Sequence, residues 1–198
     1  MMAITVDSTT NCRLIDWRAL GTEAGLGEPV KVLLGLLGQR NGEGVSAQPL
    51  SQYQLSRLLW ASHGWWAIPL SIAVYVAALD GLYRFDADTG FLRHVVRRDV
   101  RKFLAGAGSA CSAPISLLYV ADIDGGTELE RKQQELTAAM CAGSCSQNVT
   151  LMCAAEGLVT DLRVIADPGA LRNVMALRDS QRPLLAQAVG LPVRRMAR

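Results

Sequence analysis

The stretch Ser144-Cys145-Ser146-Gln147-Asn148-Val149-Thr150-Leu151-Met152-Cys153-Ala154-Ala155-Glu156-Gly157-Leu158 constrains this chain most. It reads as a buried helix closed by a glycine, the residue that best tolerates the left-handed turn after a last helical residue. A helix of this kind needs a layer to pack on, so the rest of the chain is read for that layer.

The chain has 198 residues, enough for one domain with a real core and too few for two ordinary ones. Half of the residues are hydrophobic and 19% are charged, an ordinary globular balance. The net charge of +2 gives no argument for a nucleic-acid partner. No apolar run reaches the length of a membrane-spanning helix, so no membrane partner is expected. Met1 to Asn11 lack a basic start followed by an apolar core, which argues against a secretory signal and makes a cytoplasmic location the expectation.

Five cysteines, Cys12, Cys111, Cys141, Cys145 and Cys153, fit no disulfide framework. Cys141 and Cys145 share a face if their segment is helical. No close pair of histidines or further cysteines completes a tetrahedral set, so packing as small hydrophobes is expected rather than a metal site.

Residues 1–28 are weakly periodic and read as an N-terminal extension with one short element near Leu14 to Leu20; residues 29–198 form the main domain. Pro29, Val30, Leu33, Leu34 and Leu37 predict a helix stopped at Gly38. Ser51 caps a second helix to Gly64, with Leu55, Leu58, Leu59 and Ser62 on one face. Strands are predicted at Ile72 to Ala78, Gly81 to Asp86 and Phe91 to Val96, the last two joined by an Asp88-Thr89-Gly90 turn. A short helix follows from Asp99 to Leu104, then a strand from Ile115 to Ala121. Leu129 to Met140 begins a long helix, which Cys141 to Glu156 either continues or succeeds. Asp161 to Ile165 reads as a strand, Pro168 to Met175 as a helix, and Pro183 to Val189 as a final strand. The order is α+β, and the meander from Ile72 to Val96 argues for antiparallel pairing.

His63 and His94 are the only histidines, and neither accompanies a nucleophile motif, so nothing supports a hydrolytic triad. Gly35-x-x-Gly38 and Gly106-x-Gly108 lack the ending and the preceding strand of a phosphate loop. Arg93, Arg97, Arg98, Arg101 and Lys102 read as a solvated helix face.

Several pieces, in order, resemble the flavin-dependent nitroreductase superfamily, and most closely its thiazoline and oxazoline dehydrogenase branch. They are Leu55-Ser56-x-Leu58-Leu59-Trp60-Ala61, Tyr75-Val76-Ala77 with Asp80-Gly81-Leu82-Tyr83-Arg84-Phe85-Asp86, Asp99-Val100-Arg101, and Ala113-Pro114 leading to Leu118-Tyr119-Val120-Ala121-Asp122. Gln147-Asn148-Val149, Glu156-Gly157-Leu158 and Gln187-Ala188-Val189-Gly190-Leu191-Pro192 complete the set, which spans about Pro29 to Pro192. The resemblance implies an α+β nitroreductase-like fold: a central, mainly antiparallel sheet flanked by helices, in an intertwined homodimer. It implies flavin mononucleotide (FMN) at the dimer interface and hydride transfer from NAD(P)H or directly from a small-molecule substrate. Nitroaromatics, quinones, enones and azolines all fit the superfamily.

For the cofactor, the resemblance points to Arg40 and Asn41 near the phosphate end, the backbone of Val164 and Ile165 near the ring, and Arg194 and Arg195 as a C-terminal phosphate contact. Gln147 and Glu156 are secondary candidates; helix packing or capping accounts for them equally.

Three departures from the family stand out, and the first two favour an alternative, a flavin-free homologue acting as an interaction or structural protein or carrying a repurposed pocket. Where the family carries an Arg-Arg-Ser-x-Arg-like motif, this chain has Gln39-Arg40-Asn41-Gly42-Glu43, with Glu43 where a cation would face a phosphate. A lost charge-assisted contact costs about 1.5–3 kcal/mol. A family segment between the Trp60 helix and the strand at Ile72 is about ten residues shorter here, against a typical connection of about 4–6. Trp65 and Trp66 lie in that connection, either stacking on a ligand ring or packing in the core or dimer interface. Val164 stands where the family often has glycine; the backbone N–H survives, so this change alone is tolerable, although a β-branched side chain would crowd the ring.

Overall fold

Among the described residues, a seven-stranded, wholly antiparallel sheet organises the chain. The computed structural model describes residues 12–13, 44–63, 72–105, 113–123 and 125–193. The helix expected from Pro29, the element near Leu14 to Leu20, and Trp65 and Trp66 lie outside the described residues.

Strand β1 (Cys12–Arg13) pairs with β4 (Phe91–Val96), so part of the expected N-terminal extension joins the sheet. Strands β2 (Ile72–Ala78), β3 (Gly81–Asp86) and β4 form the expected meander. Gly81 is obligatory there, because a Cβ would stand 2.5 Å from the Val96 carbonyl oxygen. Strand β5 (Ile115–Asp122) lies between β2 and β7 (Gln181–Gly190), and β6 (Val159–Val164) forms the far edge.

Helices cover both faces. On one, α1 (Gln52–His63) and α3 (Glu128–Ala155) bury Val74, Val76, Tyr83, Leu117, Tyr119 and Val189. On the other, α2 (Arg101–Ala105) and α4 (Pro168–Met175) bury Tyr75, Leu82, Leu118, Val120 and Ala186. Burial on both faces explains why β2 and β5 read as continuous apolar runs rather than alternating ones.

The ends of the helices follow from local chemistry. Ser51 Oγ accepts from the Gln54 N–H (3.1 Å), and Gln54 Oε1 accepts from the Ser51 N–H (3.0 Å). Helix α2 starts later than expected, because the Asp99 carboxylate accepts from the Arg101 N–H (2.9 Å) ahead of the first turn. Helix α3 is one continuous element, begun by a Thr127–Glu130 capping box. Gly157, at φ +66°, ends it while the Leu158 N–H donates to the Cys153 carbonyl (2.8 Å).

Candidate functional site

Among the described residues strand β6 pairs only with β7, and that register fixes where its side chains point. Directly paired residues of an antiparallel ladder share a face. Leu162 pairs with Gln187 and Val164 with Leu185, so both point to the α3 side of the sheet. Asp161 and Arg163 point to the other side, joined by an ion pair of 2.6 Å. Val164 is 81% exposed and Leu162 47%, which leaves an aliphatic strip open at the sheet edge.

The residue after Val164 has the opposite fate. Ile165 is buried against Val100 and Leu104 of the α2 region and Leu171 and Met175 of α4. The turn beyond it is stitched to α2, with the Ala166 N–H donating to the Leu104 carbonyl (3.4 Å) and the Asp167 N–H to the Phe103 carbonyl (3.1 Å). Asp167 then caps α4 by accepting from the Ala170 N–H (2.8 Å). Of the two residues expected near a ring, one therefore presents an open side chain. The other offers only its backbone and anchors the strand end. Arg40, Asn41, Arg194 and Arg195 lie outside the described residues, as does Glu43.

A buried polar node lies next to the strip. The Tyr119 hydroxyl donates to Gln187 Oε1 (2.8 Å), and Gln187 Nε2 donates to the Ser146 carbonyl and to Thr150 Oγ1 (3.1 Å each). This ties β5, β7 and α3 together beneath Leu162, the partner of Gln187 across the ladder. Its signals in the sequence are a glutamine inside an otherwise apolar predicted strand and that glutamine's place at the head of the Gln187-to-Pro192 piece, neither of which points to a buried polar node.

The secondary candidates separate. Gln147 is exposed on α3. Glu156 pairs with Arg57 of α1 (2.7 Å), which fits the packing reading of that residue. The basic cluster is not one solvated helix face. Arg93 lies on β4 and pairs with Asp86 (2.7 Å). Arg101 is buried, with its guanidinium on Asp99 (2.7 Å) and on the Ala113 carbonyl (2.5 Å). A short α2 lying against the sheet leaves Arg101 facing inward, where it must be paired.

Cys141, Cys145 and Cys153 are buried free thiols, packed as expected of small hydrophobes. Burial, reinforced by Cys141, pushes the Cys145 thiol up to about 11, and burial raises Cys153 further. Neither is a nucleophile at neutral pH. The ring of His94 meets Tyr83 edge-on at 5.0 Å, and the Tyr83 hydroxyl donates to Asp80 (2.9 Å). No helix among the described residues is long and apolar enough to cross a membrane.

No family model matches the chain, and neither does any curated protein. Solved structures do. A candidate nitroreductase from Ralstonia eutropha JMP134 is 28% identical, with a TM-score of 0.71 over 83% of this chain and 84% of that one. A nitroreductase-type protein of Parabacteroides distasonis, described as an NADH dehydrogenase/NAD(P)H nitroreductase, is 15% identical with a TM-score of 0.56, covering 84% and 89%. A chain of the Escherichia coli microcin synthetase McbBCD complex is 17% identical with a TM-score of 0.62, covering 76% of this chain and 68% of that one.

Proposed function

From the premise that this chain belongs to the nitroreductase-like superfamily, as its fold and its likeness to the Ralstonia eutropha protein show, we propose that it is an FMN-dependent oxidoreductase with the flavin held between two copies. The observation that carries the reading is the open strip at the end of β6, on a strand whose counterpart in the family resemblance approaches the ring. Leu162 and Val164 are aliphatic and exposed, the chemistry that suits contact with an aromatic ring. The residues present therefore fit the ring end of the cofactor.

Bound FMN would supply reversible hydride acceptance, which no side chain of the strip provides. The protein's own part is positioning. Ile165, locked between α2 and α4, holds the strand end still, so the Val164–Ile165 peptide is a preorganised group. Val164 is stiff at χ1 and narrows the approach to that peptide. Leu162 and Val164 keep water off the neighbouring surface. On this reading Arg40, Asn41, Arg194 and Arg195 bind the phosphate and ribityl end. NAD(P)H is the reductant, and the electron acceptor is a small, flat, apolar molecule.

The test is NADH- and NADPH-dependent reduction of nitroaromatic and quinone acceptors by FMN-supplemented protein, with Val164→Asp beside the natural chain. Turnover that saturates with FMN and falls at least about tenfold in the variant, the effect of a carboxylate placed against the ring, supports the reading. No turnover with any acceptor overturns it in favour of the flavin-free alternative.

A further inference from the structure

One row of directly paired residues crosses the sheet on the α2–α4 face and ends in two arginines. Leu118 of β5 pairs with Tyr75 of β2, Tyr75 with Arg84 of β3, and Arg84 with Arg93 of β4. Paired residues share a face, with Cβ atoms about 4.5–5.5 Å apart. Burial falls along the row: Leu118 and Tyr75 are core, while Arg84 and Arg93 are exposed. The helical layer on this face therefore stops at Tyr75, and the arginines stand in the open beside it.

Like charges directly opposite each other on a ladder destabilise a sheet. Asp86 pairs with Arg93 but has no capacity left for Arg84. Its Oδ2 accepts from Arg93 Nε (3.1 Å) and Nη2 (2.7 Å), and its Oδ1 from the Asp88 N–H (3.1 Å) and the Thr89 N–H (3.2 Å). Arg84 makes no ion pair or hydrogen bond through its side chain among the described residues.

Tyr75 supplies a second, independent observation. It is 5% exposed, yet its hydroxyl has no hydrogen-bond partner among the described residues. A buried tyrosine hydroxyl ordinarily finds one. Burial pushes the phenol above its ordinary value of 10.0, so it is a donor at neutral pH; the charges of Arg84 and Arg178 pull the other way and that of Asp122 adds to burial. All three groups therefore stand close to the phenol. Asp122 is held by Arg178 through Oδ2, and its Oδ1 is buried rather than turned to the open side.

We infer that Tyr75, Arg84 and Arg93 form a second binding site, one for a phosphate group, either free phosphate or a small phosphate monoester. Arg84 offers a planar fork of donors that matches phosphate oxygens. Arg93 adds charge and its Nη1, which Asp86 leaves unengaged. The Tyr75 hydroxyl donates from a third direction. Three donor groups suit a tetrahedral anion with three free oxygens better than a planar carboxylate with two. An anion between the guanidinium groups turns their repulsion into two attractions. The site is separate from the proposed flavin position. It lies on the sheet face opposite Leu162 and Val164, four ladder steps from β6, which is about 19 Å at about 4.8 Å per step.

The test is an NMR titration of the full chain, labelled with nitrogen-15 and free of flavin, with inorganic phosphate and with glycerol phosphate. The Arg84 Nε–H signal is expected to shift saturably, with a Kd on the order of 1 mM. Arg84→Gln should weaken binding by about fivefold or more and Tyr75→Phe by about threefold or more, whereas Lys132→Gln, on exposed α3, should leave it unchanged. Tighter binding of the monoester supports the site and identifies an organic phosphate; equal binding supports it and identifies free phosphate. Arg84 is exposed, so its variant keeps the inference testable if Tyr75→Phe misfolds. No saturable shift up to about 20 mM phosphate, or binding that survives Arg84→Gln intact, overturns the inference. Succinate bound as tightly as phosphate overturns the choice of phosphate. FMN affinity should be equal in Arg84→Gln and the natural chain; its loss would make Arg84 part of the flavin site and overturn a separate one.

Discussion

The hydroxyl of Tyr119 donates a 2.8 Å hydrogen bond to Oε1 of Gln187, and both side chains are buried in the sheet beneath α3. Gln187 passes the connection on to the Ser146 carbonyl and to Thr150 Oγ1, so one amide joins two strands and a helix. Tyr119→Phe removes one donor and is expected to cost about 1–2 kcal/mol. Gln187→Ala leaves a cavity and strands the tyrosine hydroxyl, at about 2–4 kcal/mol. Urea unfolding measures both, and the double variant should cost less than the sum. Strict additivity would mean that the pair is not coupled.

Asp99 and Arg101 give the fold an acid-sensitive point. Burial alone would raise the Asp99 carboxyl, but hydrogen bonds from the Arg101 side chain and backbone, with its charge, hold it below the ordinary value of 3.8. A carboxyl lowered on folding contributes stability above its unfolded value, and that contribution fades as pH falls through the lowered folded value. Asp99→Asn is therefore expected to flatten the stability profile below about pH 4. At neutral pH it should cost about 1–2 kcal/mol, because Arg101 loses its anion. Urea midpoints between about pH 2 and pH 6 measure the effect; an unchanged acid limb would show that the pair does not link folding to protons.

Cys145 and Cys153 on α3 should be silent in the native state. Burial pushes the Cys145 thiol up to about 11 and Cys153 higher, so the thiolate is scarce and access is closed. Labelling with a thiol-reactive disulfide at pH 8, followed by peptide mapping, is expected to leave both unmodified until urea is added. Rapid native labelling of either would contradict the packing of α3.

Much of this architecture is legible in the sequence because its signals are local. Ile72 to Ala78, Gly81 to Asp86, Phe91 to Val96 and Pro168 to Met175 are elements with the bounds that alternation, turn residues and a proline start indicate. The join at Cys141 is ambiguous in sequence because Gly143 resembles a break, whereas the packing of both helix halves on the sheet carries α3 through it. The site is less legible. Val164 and Ile165 look alike as a pair of β-branched residues, and only the strand register and the α2–α4 layer make one open and the other core. Arg101 looks like one of several surface cations, because a short helix lying on a sheet gives no periodicity to mark its inner face.

The acidic departure at Glu43 has its own outcome. If this carboxylate opposes a flavin phosphate, Glu43→Arg should tighten FMN binding about ten- to a hundredfold, the worth of one added charge-assisted hydrogen bond. Fluorescence titration of the two proteins measures the ratio. Equal affinities would place Glu43 away from the phosphate.

The absorbance spectrum of the purified protein, followed by titration with FMN, tests the central claim most directly. The account predicts a yellow protein, or a colourless one that binds FMN saturably at micromolar concentration and quenches its fluorescence. A colourless protein that leaves FMN spectrally unchanged at any concentration would contradict it.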